Sequence, residues 1–127
     1  MKKLIIVFIL FSTCVIGQNK NDIQIDEFKK KIGTENYMLV DVRTPEEYAD
    51  GHLEEALNID YFSATFLDEI RKIGVETPVL LYCRSGNRSR KSMKIMYDMG
   101  FNEVKNLICG YQGWVSENNS VKRDNLK

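Results

Sequence analysis

Cys83 stands where a side chain could do covalent chemistry. It is preceded by Val79-Leu80-Leu81-Tyr82 and followed by Arg84-Ser85-Gly86-Asn87-Arg88-Ser89. The run after Pro78 is apolar, rich in strand formers and too short for a helix, so it reads as a buried strand. A helical pattern begins near Asn87. A strand that delivers a thiol to a tight glycine-containing loop, just ahead of a helix, makes an anion site: backbone N–H groups converge there and the helix dipole adds partial positive charge. Arg84 and Arg88 act in the same direction and favour the thiolate, the reactive form. The loop therefore reads as a nucleophile, Cys83, facing a bound anion, with Arg84, Ser85, Gly86, Asn87, Arg88 and Ser89 as the binding groups. The plainer alternative is an inert buried cysteine at a strand end, but an inert thiol has no need of cations on either side.

The stretch Cys83-Arg84-Ser85-Gly86-Asn87-Arg88-Ser89 resembles the active-site loop of rhodanese-domain sulfurtransferases. Two further stretches agree in order along the chain. Asp41-Val42-Arg43 through Glu47-Tyr48, with Gly51-His52-Leu53 and Ala56-Leu57-Asn58-Ile59, is similar to the N-terminal signature of that family. Leu107-Ile108-Cys109-Gly110-Tyr111-Gln112-Gly113-Trp114 is similar to its C-terminal one. The resemblance implies a persulfide formed on Cys83 from a small sulfur donor. It also implies discharge to an acceptor such as cyanide, a small thiol or a protein thiol. Family loops tuned to mercaptopyruvate lack an arginine beside the cysteine, so Arg84 implies thiosulfate as the preferred donor. Asp41 and Arg43 are expected to support the site from behind it, the plainer reading being a surface ion pair. Two positions depart from the family pattern. Glu55 stands where glycine is usual, which puts the local turn in question. Cys109 replaces the first glycine of a pair; it is either a small filler or a thiol that meets Cys83, to resolve its persulfide or bridge to it.

Other readings of the loop are weaker. Cysteine phosphatases and arsenate reductases use Cys-x5-Arg, whereas the sixth position here is Ser89 and the arginine comes one residue early, at Arg88. The shorter loop makes a smaller cradle, better suited to a sulfur atom than to a tetrahedral phosphoester. A non-catalytic domain that binds a partner or carries sulfur is a third reading, since one fold hosts several roles. His52 is the one histidine. An ionised thiol attacking sulfur has no need of a general base, so His52 is read as structural.

The elements that must position this loop follow in alternation. Ile23-Gln24-Ile25 reads as a short strand, with Asp26 capping a helix to about Ile32 that turns Phe28 and Ile32 inward. Tyr37 to Val42 is a second strand. Thr44-Pro45-Glu46-Glu47 opens a short helix with a capping box and Pro at its first position. Ala56 to Ile59 is a third strand. Ser63 is expected to cap a helix to Ile73 with Phe66, Leu67 and Ile70 inward. Beyond the cysteine loop, Ser89, Ser92, Met93, Met96 and Tyr97 fall on one helical face, and Arg90, Lys91 and Lys94 on the other. Val104 to Leu107 closes the set, and the polar tail from Asn118 is expected to fray. Alternating strands and helices imply an α/β fold with a central parallel sheet and helices on both faces, and the rhodanese-like arrangement follows from the resemblance. Ligands in such folds bind beyond the carboxyl ends of the strands, where Cys83 lies.

With 18 basic and 18 acidic residues in 127, the chain gives no reason to expect a nucleic-acid partner. It has no dinucleotide fingerprint, P-loop or metal-ligand cluster, so neither a cofactor nor a metal is expected. Lys2 and Lys3 precede the apolar run Leu4 to Phe11, too short to span a membrane comfortably. Residues 1–17 thus read as a signal peptide cut before Gln18 and residues 18–127 as one monomeric domain. Acylation of Cys14 as a lipoprotein is the alternative. The expected location is periplasmic or secreted, and N-terminal sequencing of the product should begin at Gln18; a soluble cytosolic product retaining Met1 would overturn that.

Overall fold

In the computed structural model, residues 2–5, 19–34 and 36–124 are described; the expected leader cleavage falls outside them. Five strands form one sheet, β1 (Asp22–Ile23), β2 (Met38–Asp41), β3 (Leu57–Asn58), β4 (Val79–Tyr82) and β5 (Val104–Leu107). Their order is β1-β5-β4-β2-β3 and every pairing is parallel. The helices are α1 (Ile25–Ile32), α2 (Pro45–Asp50), α3 (Phe66–Ile73), α4 (Asn87–Asp98) and α5 (Gly110–Ser116).

The central strand β4 is buried at every position, and its strict alternation divides two cores. Val79, Leu81 and Cys83 join Phe66, Ile70, Met93 and Met96 on the face covered by α3 and α4. Leu80 and Tyr82 join Phe28, Leu107 and Trp114 on the face covered by α1 and α5. Cys83 continues the first of these rows beyond the last paired residue, so its side chain lies on the α4 side. Ser89 and Ser92 are fully buried on α4, where their small side chains let the helix lie close to the sheet.

Several boundaries differ from the expectation. The first helix starts at Ile25, with Gln24 as its N-cap, because Ile25 is itself buried in the first turn; Asp26 lies inside the helix and caps nothing. Ile32 is 38% exposed and Leu67 44% exposed, so the inward faces of α1 and α3 are narrower than their apolar content suggests. Ser63 stays outside α3, its hydroxyl accepting from the Thr65 amide at 3.1 Å. The tail is tied down as far as Asp124: Lys122 exchanges backbone hydrogen bonds with His52 at 2.8 and 2.9 Å, and the Asp124 amide donates to the Ala49 carbonyl. His52 is buried. It stacks on Tyr48 with ring centroids 3.7 Å apart and its Nδ1 lies 2.8 Å from the Tyr48 carbonyl.

The capping box at Thr44 and Glu47 forms as read, with Pro45 at the start of α2. The turn before β3 also forms, closed by the Ala56 amide on the Leu53 carbonyl at 3.1 Å. Glu55 sits in it at φ 66°, in the left-handed region that disfavours a side chain. Replacing Glu55 with Gly should therefore raise the unfolding free energy by about 0.5–1 kcal/mol, the relief of backbone strain less the added chain entropy of glycine. Denaturant titration checks this, and a destabilised variant would show that the Glu55 side chain contributes more than the strain it imposes.

Candidate active site

The loop after β4 is shaped by the turn that follows β5. Gly86 has φ 97°, and a Cβ on it would fall well inside van der Waals contact of the Ile108 carbonyl oxygen. Gly110 has φ 60°, and a Cβ there would lie 2.5 Å from the Arg84 carbonyl oxygen and 2.7 Å from the Ser85 nitrogen. The two turns touch backbone to backbone. Their contact is sealed by hydrogen bonds from the Tyr111 amide to the Cys83 carbonyl, 2.8 Å, and from the Gln112 amide to the Arg84 carbonyl, 3.0 Å. The N-terminus of α5 thus takes up the carbonyls of Cys83 and Arg84, and the Gly86 amide is left to face the thiol. Cys109, by contrast, has φ −87°, an ordinary backbone for any residue, which is why a cysteine fits there in place of glycine.

Cys83 is a free thiol, 1% exposed. Its Sγ accepts from the Gly86 amide at 3.1 Å and from the Ser89 hydroxyl at 3.3 Å. Directly beneath it begins α4, twelve residues long, with no acidic residue in its first turn, whereas α1, α2 and α3 all carry acids there. The positive end of the α4 dipole is left for a negative sulfur. Cys83 is unbridged, so the alternative in which it forms a disulfide with Cys109 does not hold in this structure.

The expected binding residues take different places. Gly86 and Ser89 face the sulfur itself. Ser85 and Asn87 are exposed at the rim. Arg84 is also exposed, and the Gln112 side-chain oxygen, in the amide orientation that satisfies both groups, accepts from its Nε at 3.0 Å and Nη2 at 3.2 Å. Arg88 reaches the site with its charge already paired: Nη1 and Nη2 donate to the two oxygens of Glu47 at 2.7 and 2.9 Å, and its guanidinium carbon lies 5.7 Å from the centre of the Phe62 ring. Arg84, Glu47, Tyr111, Gln112 and Arg43 line an open groove of about 610 Å³ beside the loop.

Asp41 and Arg43 form a buried pair behind this groove, not a surface one. Arg43 is 3% exposed, donates to Asp41 through Nε and Nη2 and to the Gly51 carbonyl at 2.6 Å, and lies 4.1 Å from the centre of the Tyr111 ring. It thereby joins the end of β2 to α2 and to the helix that clamps the loop. Among the described residues, no group of three or more His, Cys, Asp and Glu side chains is placed to hold a metal ion.

Glu47, Gln112, Tyr111 and Phe62 were not among the residues singled out for the site. Glu47 was legible as a cap, but nothing local signals that its carboxylate also reaches Arg88, 41 positions away. Gln112 and Tyr111 lie in a helix that two glycines make hard to anticipate.

A thiol at the carboxyl end of a central parallel strand, held by a loop amide and a serine hydroxyl at a helix N-terminus, defines a class of α/β protein that handles sulfur or anions on cysteine. The comparisons narrow the class. Residues 24–117 match the Rhodanese-like domain model, and the chain belongs to that family. It is 33% identical over 96 residues to a protein of Allochromatium vinosum named Sulfurtransferase, covering 74% of this chain and 87% of that one. It is 33% identical over 82 residues to Thiosulfate sulfurtransferase GlpE of Pseudomonas entomophila, covering 65% and 73%. The crystal structure of a rhodanese-related protein from Thermoplasma volcanium shares the fold, with a TM-score of 0.70 at 23% identity over 80% of this chain and 96% of that one.

The two hydrogen bonds from Arg88 hold the Glu47 carboxyl down at about 2 from an ordinary 4.5, against the opposing effect of its partial burial. A depressed folded-state pKa contributes stability above the unfolded value that is lost as pH falls through the folded one. The pair's contribution should therefore be complete above about pH 4.5 and gone near pH 2. Thermal unfolding of the wild type and Glu47→Gln across that window should give a difference that shrinks as pH falls; a constant difference would mean that the carboxylate charge adds nothing.

Proposed function

We propose that this chain is a sulfurtransferase that carries a sulfane sulfur on Cys83, with thiosulfate as donor. The observation that carries the reading is the Cys83 sulfur itself, which receives one backbone N–H and one hydroxyl at the start of a helix with no first-turn acid. The Cys83 thiolate attacks the outer sulfur of thiosulfate. A new S–S bond forms as the bond to the sulfite sulfur breaks, and sulfite leaves with the electron pair and both of its negative charges. Cys83 is left as a persulfide anion whose terminal sulfur lies among the loop amides, where fixed dipoles stabilise it. Arg84 meets the donor's oxygens at the mouth. In the second half, a nucleophile such as cyanide, a small thiol or a protein thiol attacks the terminal sulfur, and the Cys83 thiolate returns. The enzyme is covalently loaded between two substrates, so the kinetics are ping-pong.

The fit of this loop to sulfur is steric as well as electrostatic. With Arg88 four residues into the loop's length and bound to Glu47, and with Ser89 turned inward on Sγ, the cradle closes on one added atom. A tetrahedral phosphoester would need the wider loop of a phosphatase.

Intact mass after incubation with thiosulfate should show one added sulfur, absent from Cys83→Ser, whose fold the near-equal size preserves. Replacing Arg84 with Gln should lower kcat/KM for thiosulfate by about 1.5–3 kcal/mol, the value of a hydrogen bond to a charged group, or roughly 10- to 150-fold. The same change should leave thermal stability nearly unaltered. A Cys83→Ser variant that transfers sulfur at the wild-type rate, or a wild type that prefers mercaptopyruvate, would refute the assignment.

A further inference from the structure

Glu47 does more than cap a helix. A capping box needs an acceptor at the third helical position, which Gln supplies as well as Glu. What only Glu supplies is the charge: both of its oxygens accept from the one arginine that the sulfur loop contributes from α4, at 2.7 and 2.9 Å, while Oε1 also accepts from the Thr44 amide and hydroxyl. The pair is largely shielded: the Arg88 side chain is 17% exposed and that of Glu47 30%, and the Phe62 ring lies against the guanidinium, so the two charges act on their surroundings through little solvent. Arg88 is close enough for its charge to couple to Cys83. Glu47 also lines the groove at the mouth together with Arg84, whose own bonded partner is a neutral amide.

We propose that Glu47 sets the charge selectivity of the sulfur site: by cancelling Arg88 it leaves Arg84 and the loop dipoles to receive the donor, and so withholds from a dianionic donor the extra attraction that a second cation would give. The proposal rests on the reading of Cys83 as a persulfide carrier and adds to it a residue that governs which donors load it. Glu47 acts through Arg88 and the field at the mouth; it is a positioning and charge-setting residue and touches no reacting atom.

The test compares two donors that deliver the same atom with different charge. Thiosulfate, a dianion, leaves sulfite; the methanethiosulfonate anion, a monoanion, leaves methanesulfinate. The readout is the ratio of kcat/KM for thiosulfate to that for methanethiosulfonate, with cyanide as acceptor, because a general loss of fold or of thiol reactivity lowers both terms together. Glu47→Gln should raise this ratio about threefold or more, chiefly through a lower KM for thiosulfate, and the rise should fade at high salt. Arg88→Gln, which leaves Glu47 uncompensated, should move the ratio the opposite way even if Glu47→Gln does not fold. The double variant, with both charges gone, should return it close to the wild-type value. An unchanged or lower ratio in Glu47→Gln, or a double variant that matches Arg88→Gln, would overturn the proposal and make Glu47 a strut that aims Arg88 at the donor. If the wild type gains no sulfur from either donor, the sulfurtransferase reading fails and takes this inference with it.

Discussion

The close approach of two backbones, residues 84–86 against residues 108–110, is the constraint on which the rest of the site depends. Neither turn tolerates a side chain at its contact point, where Gly86 and Gly110 both hold positive φ. The contact fits a chain that leaves β4, turns over the four residues Cys83 to Gly86 and enters α4 with the Gly86 amide on the Cys83 sulfur. It also presents the first amides of α5 to the carbonyls of Cys83 and Arg84. Loop and clamp are joined through the backbone, and a site preformed in this way loses little free energy to ordering when it binds a ligand.

Around this frame the charges are arranged in two tiers. Asp41 and Arg43 are fully desolvated, hydrogen-bonded to each other and to Gly51, and packed against Tyr82 and Tyr111. Removing one member of such a pair strands a buried charge and costs about 3–5 kcal/mol, so their contribution is to hold α2 and α5 in place. Glu47 and Arg88 form the outer tier, partly exposed and within reach of the groove. Burial of Tyr82, with Asp41 nearby, pushes its hydroxyl pKa up, and its oxygen accepts from the Leu53 amide at 3.0 Å.

The sequence made the fold legible because its alternation is carried by strong local signals. The uninterrupted apolar run of β4, the capping box at Thr44 and the helical spacing of Ser89, Met93 and Met96 each point one way, and all of them form. The thiol and its loop were legible for the same reason: a strand end, a glycine and a helix start are neighbours in the chain. What stayed hidden is long-range. The pairing of Glu47 with Arg88 and the seat of Gln112 on Arg84 join residues with no shared periodicity. The helix α5 was masked by Gly110 and Gly113, poor helix formers that are present because Cβ atoms there would strike Arg84 and Cys109. Edge features were also overread: β3 is two residues long, Leu57 and Asn58, although the Ile59 amide still donates to the Asp41 carbonyl at 2.9 Å.

The most direct measurement is a 1H–15N correlation spectrum of the protein before and after one equivalent of thiosulfate. If the loop amides were prearranged to receive the sulfur, the resonances of residues 84–89 should move on loading, with Gly86 among the largest shifts, while those of the sheet and of α1 stay in place. The Cys83→Ser variant should show none of these changes. A spectrum in which the loop amides are unmoved while sulfur is bound, or in which the changes centre on another part of the molecule, would contradict the account.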